Sequence, residues 1–432
     1  MTSESLPFSV SLSLAIDGKG AVKRVGYDNA LAETQGLLNW LRESRDKGTI
    51  ELLSVPGWTD DLTQAREAAT KFAENTSDIA VLGIGGSSLG GKALKALQPA
   101  AAKGPRVSFF DNPDPFSWHD ALSHFDLKTT RFVAISKSGG TAETLIQALT
   151  AADAIDKAGG GKYLKQHFLV VTEPHKSALR SFAESIGCPV LNHPTGVGGR
   201  YSVLTMVGIL PAILMGLDVA ALRKGAGDVV AQALGSKNPA DVPAASGAAL
   251  HHALAEEGRM RETVFFAYAD KLHTMGAWWR QLWAESLGKD GKGSTPVAAL
   301  GPVDQHSQLQ LFRDGPGQAL FTILSTDTKG QGAVAPPERS EALGLKYLAG
   351  KHMGDLVAAE ARATAETLAR NGRPVRQMHL PKIDEYGMGA LMMHFMLETM
   401  IMGRLMGVDP FDQPGVEEGK VLARQYLESG QT

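Results

Sequence analysis

Apolar, strand-like segments alternate with helix-like segments along the chain after residue 75, and this alternation limits the possible folds more than any other feature. Several of these segments are apolar throughout, as expected for strands of a parallel sheet that helices cover on both faces. The alternation therefore predicts an α/β domain with a doubly wound parallel sheet. Its strand-like segments are DIAVLGIG (78–85), RVSFFDN (106–112), TRFVAIS (130–136), HFLVVTE (167–173) and CPVLNHP (188–194).

The same alternation begins again after a segment rich in Gly, Pro and Ser at 235–247. Strand-like segments follow at 262–270, 319–327 and 374–384, and helix-like segments at 273–288, 340–371 and 386–407. We therefore predict two doubly wound parallel-sheet domains with a segment at each end of the chain. The predicted bounds are 1–50 for an N-terminal arm, 51–235 and 236–409 for the domains, and 410–432 for a C-terminal helical extension.

Composition excludes several classes of partner. The net charge is −3 and no strongly basic block is present, so the charge gives no case for binding nucleic acid or an anionic membrane surface. Two long apolar runs, 203–217 and 388–408, are interrupted by proline or charged residues and are predicted to be buried helices, not membrane spans. The single cysteine and the lack of a basic residue before the first apolar stretch favour a reducing compartment, and we expect a cytoplasmic protein.

The segment SKSGGTAET (136–144) leaves the third strand of the first series and leads into a helix. A helix N-terminus presents unpaired backbone N–H groups and a partial positive charge, which suit a phosphate group. Ser136, Ser138 and Thr141 are therefore candidate phosphate donors. The plain alternative is ordinary helix capping, which needs only one of these hydroxyl groups.

A second glycine loop, GIGGSSLGG (83–91), follows the first strand and nearly matches the dinucleotide fingerprint G-x-G-x-x-G. Asp111, after the next strand, stands where an acid that binds a ribose would be expected. Ser88 replaces the third glycine, however, and Asp111 lies farther along the chain than the usual ~20 residues. An NAD-dependent enzyme thus remains the alternative, and no cofactor is the main expectation.

Four further residues are candidates for catalysis. Arg200, after Gly-Gly in GVGGRYSVLTMVG, suits an anion or a developing enolate, although arginines commonly pair with carboxylates. Glu285, near two tryptophans in an apolar helix, is a candidate general base, with a solvated glutamate as the alternative. His306 and Lys420 lie in polar, turn-rich segments and have plain interpretations as a structural histidine and a surface cation. Because His306 has no Cys or His partner at ligand spacing, we predict no metal site.

Taken together, these segments resemble the glucose-6-phosphate isomerases. GVGGRYSVLTMVG (196–208) and GRLMGVDPFDQPGVEEGK (403–420) resemble the two signature patterns of that family. GIGGSSLGG, SKSGGTAET, ESLGK and DQHSQ resemble its remaining active-site segments, in the family's chain order, and the match covers roughly residues 75–425. The resemblance implies two flavodoxin-like sugar-isomerase domains, in agreement with the two series of strands and helices.

The resemblance also implies a reaction, the interconversion of glucose 6-phosphate and fructose 6-phosphate through a cis-enediol without a metal. Glu285 would move a proton between C2 and C1, and Arg200 would stabilise the enediolate. His306 and Lys420 would transfer protons during ring opening. The residues implied to surround the substrate are Gly86, Ser87, Ser136, Lys137, Ser138, Thr141, Glu143 and Gln413, with Glu143 beside the sugar and Gln413 holding the open chain.

By the same resemblance the protein would act as a homodimer, with His306 entering the site of the neighbouring subunit. One departure is the Gly139-Gly140 pair, where larger members of the family have a bulky residue. We expect this pair to widen the site, which keeps mannose 6-phosphate as an alternative substrate. A non-catalytic sugar-phosphate sensor is the second alternative class, but such a module need not keep Glu285, Arg200, His306 and Lys420.

Overall fold

A computed structural model describes residues 6–99 and 104–431, and its strands form two sheets. All the strand-like segments predicted from the sequence form strands. The strands are β1 (Ser9–Ser11), β2 (Asp78–Leu82), β3 (Arg106–Phe110), β4 (Thr130–Ile135), β5 (Phe168–Thr172), β6 (Val190–Asn192), β7 (Glu262–Ala267), β8 (Thr295–Leu300), β9 (Ala319–Ser325) and β10 (Val375–His379).

The first sheet has the order β3-β2-β4-β5-β6, and all of its strands are parallel. The second sheet has the order β8-β7-β9-β10-β1, with β7 to β10 parallel and β1 antiparallel to β10. In both sheets the first strand of the series lies between the second and the third. The predicted α/β class with two doubly wound parallel sheets is therefore confirmed, with one antiparallel edge strand added.

Helices cover both sheets. They are α1 (Ser13–Ile16), α2 (Arg24–Asp46), α3 (Asp60–Ala73), α4 (Leu89–Lys95), α5 (Pro115–His124), α6 (Ala142–Lys157), α7 (Leu164–His167), α8 (Ala178–Ile186), α9 (Met206–Leu214), α10 (Val219–Gly235), α11 (Pro243–Glu256), α12 (His273–Leu287), α13 (Leu309–Asp314), α14 (Pro337–Ala342), α15 (Met353–Arg370), α16 (Glu385–Met406) and α17 (Glu417–Ser429). Short 3-10 helices at Gly85–Ser87, Gly199–Leu204, Val303–Gln305 and Pro414–Val416 bear on the candidate site.

The largest hydrophobic cluster joins the two sheets. It includes Val81 of β2, Met378 of β10 and side chains of α9, α10, α12 and α16. Every residue of α16 from Gly387 to Gly403 is buried, so this methionine-rich helix is an internal packing element, as predicted for the run at 388–408. Among the described residues, no helix combines the length and the apolar character that crossing a bilayer requires.

The two ends of the chain differ in how they attach. β1 pairs with β10, and Phe8, Leu38 and Leu41 belong to the largest core cluster, so most of the segment predicted as an arm packs into the body. The C-terminal helix α17 has no buried residue. Residues 1–5 and 432 of the predicted terminal segments lie outside the described residues. The bounds of the four predicted segments stay predictions.

Two strands and one interruption were missing from the sequence prediction. β1 has only three residues, and β8 is an edge strand containing Pro296, which weakens the strand pattern because proline cannot donate to a ladder. The helical segment predicted at 340–371 consists of the end of α14, a short 3-10 helix at Lys346–Leu348, and α15. Glycines at 344 and 350, both with positive φ, separate these pieces.

Candidate active site

The loop between β4 and α6 contains the predicted phosphate-binding hydroxyl groups. Ser136 is buried, and its Oγ lies 2.8 Å from Thr141 Oγ1 and accepts a hydrogen bond of 3.1 Å from the Gly139 amide. Thr141 occupies the N-cap position of α6, yet its side chain makes no capping hydrogen bond. Thr141 therefore does not act as an ordinary N-cap, and its side chain accepts no hydrogen bond from the first backbone amides of α6.

The other predicted residues of this loop are placed less uniformly. Lys137 Nζ lies 3.6 Å from the carboxylate of Glu173, and Ser138 is exposed, with its Oγ accepting a hydrogen bond of 3.2 Å from the Gly140 amide. Glu143 lies in the first turn of α6, half-buried, and forms no hydrogen bond or ion pair with other described residues. A carboxylate there is favoured by the helix dipole and remains available to a ligand.

Packing explains why position 139 is a glycine. Gly139 has φ of +63°, and a Cβ on it would lie 2.1 Å from the hydroxyl oxygen of Ser177, the N-cap residue of α8. Glycine is therefore required for the loop to lie against α8. A Cβ on Gly140 would meet only Ser138 Oγ, at 3.9 Å, so any widening of the site by the missing side chains comes from Gly140.

The glycine loop after β2 lies next to the hydroxyl loop, because β2 pairs with β4. Its 3-10 helix contains Gly86 and Ser87 and touches a second glycine segment. A Cβ on Gly86 would lie 2.3 Å from the carbonyl carbon of Gly199, which leaves no room for any other residue. This close approach of two backbones holds Arg200 beside the carboxyl edge of the first sheet.

Arg200 is 3% exposed, and all of its guanidinium nitrogens have partners. Nη2 donates to the carbonyl oxygens of Pro410 and Asp412 at 2.7 and 2.8 Å. Nη1 donates to Gln413 Oε1 at 2.7 Å, and Nε donates to Ser286 Oγ at 2.7 Å. Arg200 thereby ties the first sheet, the helix α12 and the segment before α17 into one site, with mostly neutral acceptors.

The candidate base Glu285 lies at the C-terminal end of α12, and its side chain is 30% exposed. One carboxylate oxygen lies 3.4 Å from Arg200 Nη1, and the other accepts a hydrogen bond of 3.0 Å from Gln281 Nε2. The carboxylate is thus held between two donors, while part of it faces the open side of the site. The solvated-glutamate alternative does not describe this environment.

Two residues of the site were not identified from the sequence. Gln281 precedes Glu285 by one helical turn and therefore lies on the same helix face, a signal that the sequence does contain. Ser286 is fully buried, accepts the Arg200 hydrogen bond and lies 3.0 Å from the Tyr201 hydroxyl oxygen. Tyr201 in turn donates to the Pro410 carbonyl oxygen, so Ser286 and Tyr201 are positioning residues for Arg200.

Among the described residues, no hydrogen bond or ion pair links His306 or Lys420 to Glu285. His306 is exposed and makes no side-chain hydrogen bond or ion pair with described residues. Lys420 lies on α17 and is paired with Glu417 at 2.7 Å, one turn earlier on the same exposed helix. Their predicted roles in proton transfer therefore stay predictions that need a second chain or a movement of α17.

The alternative nucleotide site has a different arrangement. Asp111 forms an ion pair of 2.8 Å with Lys92 Nζ, and Ser88 Oγ donates to the same carboxylate oxygen over 3.4 Å. The acid that a ribose would need is thus engaged by side chains of α4 and its N-cap. Within residues 6–99 and 104–431, no group of three or more His, Cys, Asp or Glu residues is arranged to hold a metal ion.

Comparisons with known proteins identify the family. The family model for phosphoglucose isomerase matches residues 62–303 and 347–432. The chain belongs to the phosphoglucose isomerase family. A glucose-6-phosphate isomerase of Rubrobacter xylanophilus is 37% identical over 376 residues, which are 85% of this chain and 87% of that protein.

Two solved structures share the fold of this chain. A Thermus thermophilus protein, described as hypothetical, superposes with a TM-score of 0.86 at 34% identity, covering 97% of this chain and 99% of the other. A glucose-6-phosphate isomerase of Chlamydia trachomatis shares the fold, with a TM-score of 0.83 at 21% identity, covering 99% and 90% of the two chains. The family prediction is confirmed, and the chain is an isomerase, which excludes the NAD-dependent enzyme and the sensor.

Proposed function

We propose that this phosphoglucose isomerase interconverts glucose 6-phosphate and fructose 6-phosphate through a cis-enediolate, with Glu285 as the single base and without a metal. The observation that carries the proposal is the pairing of Glu285 with Arg200 beside the two glycine loops. A carboxylate held by two donors, one of them a buried guanidinium, provides a base and an adjacent positive charge in one place.

The substrate phosphate is proposed to bind at the loop between β4 and α6. The hydroxyl oxygens of Ser136 and Thr141 already lie 2.8 Å apart. The backbone amides of the first turn of α6 carry the partial positive charge of a helix N-terminus, which attracts a phosphate. Ser138 and Lys137 add a hydroxyl group and a positive charge, and Gly86 and Ser87 line the adjoining loop. With the phosphate anchored here, the sugar extends toward Glu143 and Glu285.

The proton transfer is proposed to follow ring opening. Glu285 removes the C2 proton of the open chain, and the electron pair of that C–H bond forms the C1–C2 double bond of the enediolate. The proton of the C2 hydroxyl passes to the C1 oxygen, and Glu285 then returns its proton to C1. Arg200 stabilises the negative charge that develops on the enediolate oxygen, because its guanidinium is fixed before the reaction begins. Gln413 accepts a hydrogen bond from Arg200 and is proposed to hold the open-chain form of the sugar.

Ring opening itself is assigned to His306 and Lys420, and His306 is proposed to act in the neighbouring subunit of a homodimer. Exposed apolar side chains support a second copy as the partner. Val303 and Leu311, both 59% exposed, flank the His306 segment. The unburied helix α17 exposes Val421, Tyr426 and Leu427, with fractions of 54%, 48% and 69%. Such surfaces are typical of interfaces, and a cytoplasmic homodimer is part of the proposal.

A coupled assay tests the reaction and the base together. Purified protein receives fructose 6-phosphate in the presence of EDTA, and glucose 6-phosphate is detected with its dehydrogenase. We expect turnover in EDTA, and we expect Glu285→Gln to lose about 10³-fold in kcat, because general-base catalysis contributes roughly 10²–10⁴-fold. Turnover of mannose 6-phosphate alone would mean that the proposed substrate is wrong. Retained activity in Glu285→Gln would mean that Glu285 is not the base.

Sedimentation tests the assignment of His306 across an interface. We expect the active species to be a dimer. Mixing equal amounts of inactive Glu285→Gln and inactive His306→Ala chains is expected to restore about a quarter of the wild-type activity per chain, since half of the randomly formed dimers are mixed and each of these contains one intact site of two. An active monomer, or no restoration although mixed dimers form, would contradict the assignment.

A further inference from the structure

A crevice at the carboxyl edge of the second sheet has a volume of about 320 Å³ and shares no residue with the candidate active site. In open α/β sheets, ligands bind outside the carboxyl ends of the strands, and pockets of roughly 300–1,000 Å³ are usual for small molecules. Its polar lining consists of Ser325, Thr326, Asp327, Thr328, Lys329, Arg362, Gln377 and His379.

The crevice adjoins the loop that corresponds to the phosphate loop of the first sheet. The two sheets have the same strand order, so β9 in the second corresponds to β4 in the first. β4 is followed by Ser-Lys-Ser-Gly-Gly-Thr, and β9 ends in Ser325 and is followed by Thr-Asp-Thr-Lys-Gly. Both loops therefore place hydroxyl groups, a lysine and a glycine at the same position of the fold.

Small side chains on α15 explain why a cavity exists here. Ile323 and Ser325 of β9 lie on the same face of the sheet as Gln377 and His379 of β10, to which they are paired in register. The facing helix presents Ala358 and Ala361, which are too short to fill the space above these strands. The crevice therefore has an apolar part, formed by Ile323, Ala358 and Ala361, and polar groups beside it.

The polar groups leave donors free for a ligand. Lys329 Nζ and the Gln377 side-chain amide form no hydrogen bond or ion pair with the described residues. Asp327 is engaged by His379 Nε2 at 3.0 Å, and His379 Nδ1 lies 3.0 Å from Ser325 Oγ. Arg362 of α15 also lines the crevice; its Nε pairs with Glu366 on the exposed side of the helix, so its two Nη nitrogens are the donors left for a ligand. Two cations thus line the crevice, while its one lining carboxylate is already paired.

The crevice differs from the first loop in one respect that limits how a ligand would be held. The Gly330 amide already donates to Asp355 at 2.9 Å, so this loop amide is occupied by a carboxylate of α15. A ligand must therefore be bound by side chains, chiefly Lys329 and Arg362. Binding through exposed cations is weakened by salt.

We propose that this crevice is a second binding site, for a small phosphorylated metabolite, separate from the isomerase site. The phosphate would lie between Lys329 and Arg362, and Gln377 and Ser325 would meet hydroxyl groups of the ligand. The proposal goes beyond the isomerase reaction and does not depend on it.

Hydrogen exchange with mass spectrometry tests the proposal on the intact protein, with inorganic phosphate as the probe and chloride at equal ionic strength as the reference. We expect phosphate to protect the segments 326–332 and 356–363. In the double variant Lys329→Ala/Arg362→Ala, the phosphate concentration for half-maximal protection there should rise at least about tenfold, since two charge-assisted contacts are lost. The control Arg339→Ala/Lys346→Ala removes the same charge from exposed positions of the same region and should leave the protection unchanged.

The segment 136–142 reports separately on the active-site phosphate loop, so failure of one site is distinguishable from failure of the other. Protection at 326–332 that survives in Lys329→Ala/Arg362→Ala would overturn the proposal. So would its absence at phosphate concentrations that saturate protection at 136–142. Isomerase activity of both double variants should equal that of the wild type, which shows that they fold.

Discussion

Two of the buried arginines, Arg200 in the first half of the molecule and Arg376 in the second, are surrounded by different kinds of acceptor. Arg200 is 3% exposed and donates chiefly to a hydroxyl group, an amide and two carbonyl oxygens, with the Glu285 carboxylate farther away at 3.4 Å. Arg376 on β10 is 1% exposed, and its Nη1 lies 2.5 Å from the Glu398 carboxylate. The first guanidinium keeps much of its charge for a ligand, whereas the second is neutralised inside the core.

The surroundings of Arg376 show a structural role. Nε donates to Thr322 Oγ1 at 3.0 Å, and Glu398 lies within 3.5 Å of His251 and 3.4 Å of His394. All of these side chains are buried. A Cβ on Gly247 would lie 2.5 Å from both Arg376 and Glu398, so α11 can pack over the cluster only with glycine there. The comparison teaches that burial of an arginine does not mark a site, but the chemistry of its acceptors does.

The largest expected effect is on catalysis, in Arg200→Lys. Lysine is a point charge with three donors and cannot match the fork that meets Ser286, Gln413 and the two carbonyl oxygens. We expect kcat to fall by about 10²–10³, as for the loss of one preorganised donor to a developing oxyanion. The measurement is steady-state isomerase kinetics on protein whose folded fraction has been determined.

Arg223→Lys is the matched control for this variant. Arg223 is 2% exposed, pairs with Asp61 at 2.5 Å and donates to the Leu204 carbonyl oxygen, away from Glu285. It should lose stability but retain kcat per folded molecule. A similar loss of kcat in both variants would mean that Arg200 acts on activity only through folding.

The second effect is on stability, in Glu398→Gln. Removing the carboxylate leaves the buried guanidinium of Arg376 without its anionic partner, and breaking one side of a buried pair costs about 3–5 kcal/mol. Urea unfolding should show this loss, while kcat per folded molecule stays within about twofold of wild type, because Glu398 touches no residue of the candidate site. The exposed pairs of Glu366 with Arg362 and Arg370 provide the control, since Glu366→Gln should cost less than about 1 kcal/mol. Equal losses in the two variants would contradict the structural role.

The two arginines also differ in how far the sequence predicted them. Arg200 and Glu285 were identified because each lies in a continuous motif, after Gly-Gly or within ESLGK, and parallel strands bring such loop motifs to one edge. The Arg376 cluster combines α11, β10 and α16, and no local pattern joins these three elements. Only His394 and Glu398, one helical turn apart, carried a local signal.

The limits of prediction at the site itself have a similar cause. Ser286 was missed because its partners, Arg200 and Tyr201, lie far away in the sequence, and only folding brings them together. The two sheets were predictable from apolar runs, whereas the short edge strand β1 and the proline-containing β8 were not. His306 and Lys420 carry motif signals, but neither contacts Arg200 or Glu285 through a hydrogen bond or ion pair among the described residues, so their roles stay predictions.

The smallest expected effect is on the pH dependence of stability. It arises from the buried groups around Arg376 and not from the candidate active site. Burial lowers the pKa of His251 to about 3 from 6.5, even though Glu398 acts in the opposite direction. Burial would raise the pKa of Glu398, but Arg376 and the two histidines lower it to about 2 from 4.5. In both cases the unfolded chain binds protons more readily than the folded one, so stability falls as the pH falls.

The two pH windows can be separated. Below pH 6.5 the unfolded His251 takes up a proton that the folded chain excludes until about pH 3, whereas Glu398 contributes only below pH 4.5. Between pH 6.5 and 5, His251→Phe should therefore reduce the slope of the unfolding free energy by up to about 1.4 kcal/mol per pH unit. Phenylalanine keeps a ring against Trp283, and both His251 nitrogens lack hydrogen-bond partners among the described residues. Urea titrations at several pH values measure the slope, and an unchanged slope would mean that His251 is already protonated in the folded core, with Glu398 as its partner.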